Sequence, residues 1–238
     1  MRNIARIVLP ALLLLASACA AQEAPPLDPN LTPEQAAAAQ HFLGAEFGKM
    51  TPVAGFKERY NWRNPSFNPK NYSAVIIDPS VVWNAQAMAK SAGVSTEELD
   101  AVARHLDLVL MKTMQGIDFP VKSAAAPRTL RISAAITQVK ASNPTRNTIS
   151  SVLPVGILIS LGRKAVGSAD PNVGSCSIEV RFSDAMSGET MGLFADHKDG
   201  DKYDSANFHQ LGQAQEAVDK WSEDLRAGVL RVWGVRPQ

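Results

Sequence analysis

Three carboxylates set among apolar or strand-forming residues, Asp78, Glu179 and Asp196, have the most readily stated chemistry in this sequence. Converging in one pocket with separated pKa values, they would supply the general acid and general base of a hydrolase. Asp196 also opens the run Asp196-His197-Lys198-Asp199-Gly200-Asp201-Lys202-Tyr203-Asp204, an oxygen-rich cluster of the kind that holds Ca²⁺. The register of an EF-hand loop is not met, no Glu closes the loop, and Lys198 and Lys202 compete for the carboxylates. A solvated turn leading into the last helix is the simpler reading. His197 has an acidic neighbour, but no G-x-S-x-G elbow and no S-x-x-K accompanies it. His41, His105 and His209 are scattered without metal-ligand spacing. Gly162-Arg163-Lys164-Ala165-Val166-Gly167-Ser168 has the glycine spacing of a phosphate loop, yet Ser168 stands where the motif needs Lys, so nucleotide binding is not expected. Cys176 lacks an adjacent cation to lower its pKa and reads as a small buried residue of a strand. No catalytic, cofactor or metal-binding residue emerges, and the chain reads as a non-enzyme.

Composition narrows the classes further. The 238 residues are 45% apolar and 20% charged, enough apolar material for a core and too much for a disordered chain. Twenty-four basic against 23 acidic residues leave no basic excess for nucleic acid. Two cysteines exclude a disulfide scaffold and a four-thiolate metal site.

The elements that position these groups begin with an export signal. Arg2 and Arg6 precede the apolar run Ile7 to Leu15, and the small residues Ala16, Ser17 and Ala18 follow. The run is about half of the roughly 20 residues of a spanning helix, so residues 1–18 read as a signal peptide rather than an anchor. The cleavage site resembles the lipobox of bacterial lipoproteins, with Ala16 where Leu is commonest. That resemblance makes Cys19 the acylated first residue, and Ala20 after it resembles the pattern sorted to the outer membrane. An ordinary signal-peptidase cut at either A-x-A site, Ala16-Ser17-Ala18 or Ala18-Cys19-Ala20, is the alternative. Residues 19–40 then form a tether containing Pro25, Pro26 and Pro29, with a short helix starting at the Thr32-Pro33-Glu34-Gln35 cap and ending near Gly44.

A single domain over residues 41–238 follows. Pro52, Gly55, Pro65 and Pro69 among Phe56, Tyr60, Trp62 and Phe67 predict an extended surface arm with aromatic anchors. Tyr72–Pro79 reads as a central strand, apolar on both faces. Ser95 with Glu98 forms a capping box, and the apolar stripe from Leu99 to Leu110 continues that helix to Gly116. Thr129–Lys140 alternates as a strand, with its even positions facing the core at first. Ser175–Asp184 and Glu189–Asp196 form a hairpin about Met186-Ser187-Gly188. Phe208, Leu211, Ala214, Val218, Trp221, Leu225, Val229 and Val232 make one long amphipathic helix, capped by Asp204 or Ser205 and ended by Gly234 and Pro237. This order predicts an α/β two-layer sandwich: a mixed, four-stranded or slightly larger sheet with two long helices on one face, its first two strands parallel through a crossover.

Two stretches resist assignment. Ser151–Leu161, the most apolar run after the signal, reads either as core or as a membrane or partner contact. The aromatic arm of Tyr60, Trp62 and Phe67 either staples the chain to the domain or stacks on sugar rings.

Cys19, Phe42-Leu43-Gly44, Tyr72 with Val75-Ile76-Ile77-Asp78-Pro79, Thr129-Leu130-Arg131-Ile132, Ile178-Glu179-Val180, Asp184, Ser187-Gly188-Glu189, Ala195-Asp196 and Trp221 together resemble the bacterial lipoproteins of domain-of-unknown-function family 3313. The resemblance covers residues 40 to 233. It implies an exported α/β lipoprotein and brings no catalytic residues with it. The expectation is a lipid-anchored protein of the outer membrane, facing the periplasm and held to the bilayer by acyl chains. It would serve as a non-enzymatic interaction or envelope-maintenance module with an envelope protein as partner, or else as a small-molecule or glycan binder. A carboxylate-dependent hydrolase is the third reading.

Overall fold

Apolar alternation in the strands and 3.6-residue periodicity in the helices produce the architecture of the computed structural model, which describes residues 40–117, 119–141, 174–199 and 211–233. In chain order the elements are β1 (Thr51–Pro52), β2 (Tyr60–Arg63), β3 (Ala74–Ile77), β4 (Val81–Val82), α1 (Ala85–Ala92), α2 (Thr96–Gln115), β5 (Thr129–Lys140), β6 (Ser175–Asp184), β7 (Thr190–Asp199) and α3 (Gly212–Trp233). Short 3-10 turns occupy Gly44–Lys49 and Pro69–Asn71.

The strands form one mixed sheet in the order β1-β2-β7-β6-β5-β3, with β4 also beside β5. β3 and β4 both run parallel to β5, and every other pairing between these strands is antiparallel. The crossover from β3 and β4 through α1 and α2 to β5 makes the expected parallel connection. The four expected strands are β3, β5, β6 and β7, but β3, read from its apolar faces as central, stands at the end of the strand order beside β5. The sheet is larger than that set: β1 and β2 come from the segment expected to be a surface arm, and β4 is two residues long. Short edge strands lack the length over which alternation becomes readable.

Among the described residues three helices accompany the sheet, the two long ones expected, α2 and α3, and the short α1. In α2 the Ser95 hydroxyl oxygen accepts from the Glu98 N–H at 3.2 Å while Glu98 Oε2 accepts from the Ser95 N–H at 2.8 Å, the expected capping box. Leu99, Val102, Leu106, Leu110 and Met114 are buried along its stripe. Burial of each such side chain contributes about 1.5–3 kcal/mol. In β5 Leu130, Ile132, Ala134 and Ile136 face this helix layer, until a bulge between Ile136 and Gln138 shifts the phase and brings Val139 opposite Cys176. Even-position alternation therefore holds only to Ile136.

The second face of the sheet has a cover of its own. Residues 41–50 lie across it, and Leu43 and Met50 pack with Leu193 and Ala195 as a small separate core. Residues 41–43 form a bend and turn, so the helix expected to reach Gly44 does not extend into this part; its start lies outside the described residues. The capping residues proposed for α3 and those proposed to end it lie outside them as well, as do Ser151–Leu161, the loop at 162–168, His209 and Cys19.

Candidate functional site

On the helix face, the N-terminal half of α3 closes onto the sheet through Ala214, Ala217, Val218 and Trp221. In its C-terminal half Val229 is buried in the same core, and Leu225 and Leu230 pack against it. Gly228 brings no side chain to the space beside them, and a cavity of about 460 Å³ opens between Leu225–Val232, the strands and the 53–59 loop. Leu130, Ile132, Val180 and Met191 form its apolar floor, with Val229 opposite. A Cβ added at Gly228 meets nothing within 4 Å. Phe56 and Val232 line the mouth at 50% and 37% exposure.

Arg59 and Asp224, on the polar side of the cavity, belong to a four-charge cluster completed by Asp196 and Lys198, which do not line it. Asp196, 5% exposed, accepts at Oδ2 from Arg59 Nη2 (2.8 Å) and from the Trp221 indole N–H (2.7 Å). Asp224 Oδ2 accepts from the same Arg59 nitrogen at 2.6 Å and from Lys198 Nζ at 3.1 Å. Burial by itself would lower the pKa of Arg59, but hydrogen bonds and charge from Asp196 and Asp224 raise it. Burial would likewise raise Asp224, which Lys198 and Arg59 hold below the ordinary carboxylate value. The guanidinium also lies over Phe56, 3.8 Å from the ring centre.

The three carboxylates singled out from sequence do not converge. Asp196 faces α3 on the helix face. Glu179, on the adjacent strand at the position paired with Ala195, points to the opposite face. There it accepts from His41 Nδ1 at 2.7 Å and from the Leu43 N–H at 2.9 Å. Asp78 accepts from Ser133 Oγ at 2.6 Å and pairs with Arg131. Each carboxylate has its own donors, and the pocket required for acid–base work on Glu179 and Asp196 together is absent. Asp196 is buried in a strand rather than lying in a solvated turn, and Asp199 ends that strand. His105 bonds Asp219 at 2.9 Å and ties α2 to α3.

The aromatic arm divides in the same way. Tyr60 and Trp62 alternate onto the second face beside Leu193 and Ala195, with Lys49 over the Trp62 ring at 5.1 Å. Phe67 stacks on Tyr72 at 5.6 Å and lines the cavity on the helix face. The three rings therefore form no common platform. Cys176 is fully buried, and burial pushes its thiol up to about 12, as fits a small core residue.

Sequence reasoning also missed a contact. His197, expected in a loop, sits on β7 with Nδ1 2.8 Å from Ser177 Oγ and Nε2 3.1 Å from Asp199. The three side chains are joined in the order of a nucleophilic relay. None of them lines the cavity, and the Ser177 hydroxyl also lies 3.2 Å from Gln138 Oε1, an acceptor for its proton.

Residues 38–225 match the family described as protein of unknown function (DUF3313). The chain belongs to that family. No curated protein matches it. Among solved structures, the PelC dodecamer from Paraburkholderia phytofirmans is 10% identical, with a TM-score of 0.37, over 75% of this chain and 97% of that one. A Xanthomonas campestris protein of the DUF330 family model is 7% identical, with a TM-score of 0.39, over 72% and 91%. A minor lipoprotein from Acinetobacter baumannii is 7% identical, with a TM-score of 0.31, over 66% and 92%. Likenesses at these values support no transfer of function to this DUF3313 protein. Among the described residues no helix is long and apolar enough to cross a membrane, and no group of three or more His, Cys, Asp or Glu side chains is placed to hold a metal.

Proposed function

We propose that this DUF3313 protein is a lipid-anchored binding module of the outer membrane that faces the periplasm and holds an apolar ligand in the cleft between α3 and the sheet. Acyl chains on Cys19 fix it to the bilayer, and the segment after Cys19 gives the domain reach toward an envelope partner. The cavity carries this reading. Its volume of about 460 Å³ lies inside the roughly 300–1,000 Å³ range of small-molecule sites. An apolar floor with a few polar groups at one side is the composition such sites share. The module works by binding, not by catalysis: each of the three carboxylates is bonded to its own partners, and the Ser177–His197–Asp199 contact lies away from the cleft. Ester or peptide turnover abolished by Ser177→Ala would contradict the non-enzymatic part.

The binding part is tested with the exported Cys19→Ala chain, which needs no detergent, and a neutral fluorescent naphthylamine probe. The expected result is saturable, one-to-one binding, weakened at least ten-fold by Gly228→Phe, which fills the cleft, and retained in Gly228→Ala. Absence of binding, or equal binding in Gly228→Phe, would overturn the reading.

A further inference from the structure

We infer that the occupant of the cleft is a single-chain fatty acid, its alkyl chain on the apolar floor and its carboxylate at the arginines of the mouth. The inference rests on the proposed reading of the cleft as a binding site. Charge around the cavity is one-sided: Arg59, Arg63 and Arg231 stand against Asp224 alone. Arg59 is neutralised through Nη2 by Asp196 and Asp224, yet its Nε–H has no acceptor among the described residues although its side chain is nine-tenths buried. A buried donor in that state is costly unless an oxygen reaches it. Arg63 is exposed, lies over the Phe67 ring at 4.9 Å and donates Nη2 to the Phe67 carbonyl at 3.0 Å, which leaves most of its five donors for another acceptor. Arg231 is exposed in the last turn of α3 and pairs with no carboxylate among the described residues.

A carboxylate has two oxygens that can accept from a guanidinium fork, and Arg63 and Arg231 both line the cavity with donors left open. The chain is set by volume. At about 30 Å³ per water-sized group, which is also the bulk of a methylene, the cavity holds roughly fifteen such groups. That is room for one alkyl chain.

The test is titration calorimetry on the exported Cys19→Ala chain, below the micelle concentration, with decanoate, dodecanoate, dodecanol and lysophosphatidylglycerol. Dodecanoate is expected to bind one to one and about four-fold more tightly than decanoate for each added methylene. Dodecanol is expected to bind at least ten-fold more weakly. In the double variant Arg63→Gln/Arg231→Gln, two exposed sites whose folding is checked by thermal melting, the preference for carboxylate over alcohol is expected to fall below three-fold. Equal affinity for acid and alcohol, or a preference unchanged in the double variant, would overturn the fatty-acid assignment while leaving the binding reading in place. Binding of lysophosphatidylglycerol without dodecanoate would do the same. If no ligand binds and the naphthylamine probe fails as well, the cleft reading itself falls.

Discussion

The carboxylate of Glu179, 2% exposed in the middle of β6, accepts a hydrogen bond of 2.7 Å from His41 Nδ1. The other Glu179 oxygen takes the Leu43 N–H at 2.9 Å, and Trp83 Nε1 donates to the Gln40 carbonyl at 2.9 Å. The first residues of the domain are thus fixed across the sheet face opposite the cleft. A residue that reads from sequence as a candidate acid holds the strap in place.

His41→Ala leaves the buried carboxylate one donor short. The expected cost is about 3 kcal/mol, a drop in Tm on the order of 6–12 °C. Glu179→Gln keeps an oxygen for the Leu43 N–H and is expected to cost less. Thermal unfolding of both variants checks the order, and limited proteolysis is expected to cut the 41–50 strap of His41→Ala first.

Acid acts on the β6–β7 turn. Asp184 accepts from the N–H groups of Ser187 (2.8 Å) and Met186 (2.9 Å), and these bonds hold its carboxyl below the usual carboxylate value. Its folded pKa lies below an unfolded value of about 3.9, so the stabilisation is complete above that pH and is lost as pH falls through the folded value. Asp184→Ala is therefore expected to have a lower Tm than the parent at pH 7, with the gap closing as the pH drops toward about 3. A gap that stays constant with pH would remove the turn carboxylate from the explanation.

Gly228 sits inside α3 with open space where a Cβ would stand. Alanine there restricts the unfolded chain and favours the helix, a gain of roughly 0.5–1 kcal/mol. Chemical denaturation of Gly228→Ala is expected to show a higher midpoint with an unchanged slope. Destabilisation would mean that the cleft is closed in solution.

Labelled palmitate is expected to enter the protein in cells and to be absent from Cys19→Ala, with the parent recovered in the outer-membrane fraction. Label retained in Cys19→Ala, or a parent of unmodified mass in the soluble fraction, would remove the anchor.

Long elements were legible because their periodicity extends over many residues. α2 begins at the Ser95–Glu98 box, and β5 and β6 occupy the bounds that alternation predicts. β1, β2 and β4 were not, since two to four residues beside prolines and glycines carry no readable period, and β2 is a strand only because β7 offers it an edge. The cleft was hidden for a different reason. The stripe on α3 reads as uniformly apolar, whereas Gly228 beside it brings no side chain to the cavity it lines, and that glycine was the signal available. Glu179 and Asp196 lie on strands whose side-chain faces can be compared only once the pairing Ile178↔Asp196 fixes the register. Arg59 could not be linked to Asp196 from sequence, because the contact spans 137 positions.

The most direct test is methyl NMR of the exported Cys19→Ala chain titrated with dodecanoate. The cleft account predicts saturable shifts at Leu130, Ile132, Val180 and Val229, with Leu43 and Leu193 on the opposite face unmoved. Shifts confined to Leu43 and Leu193, or no saturable shift at any of these methyls, would contradict it.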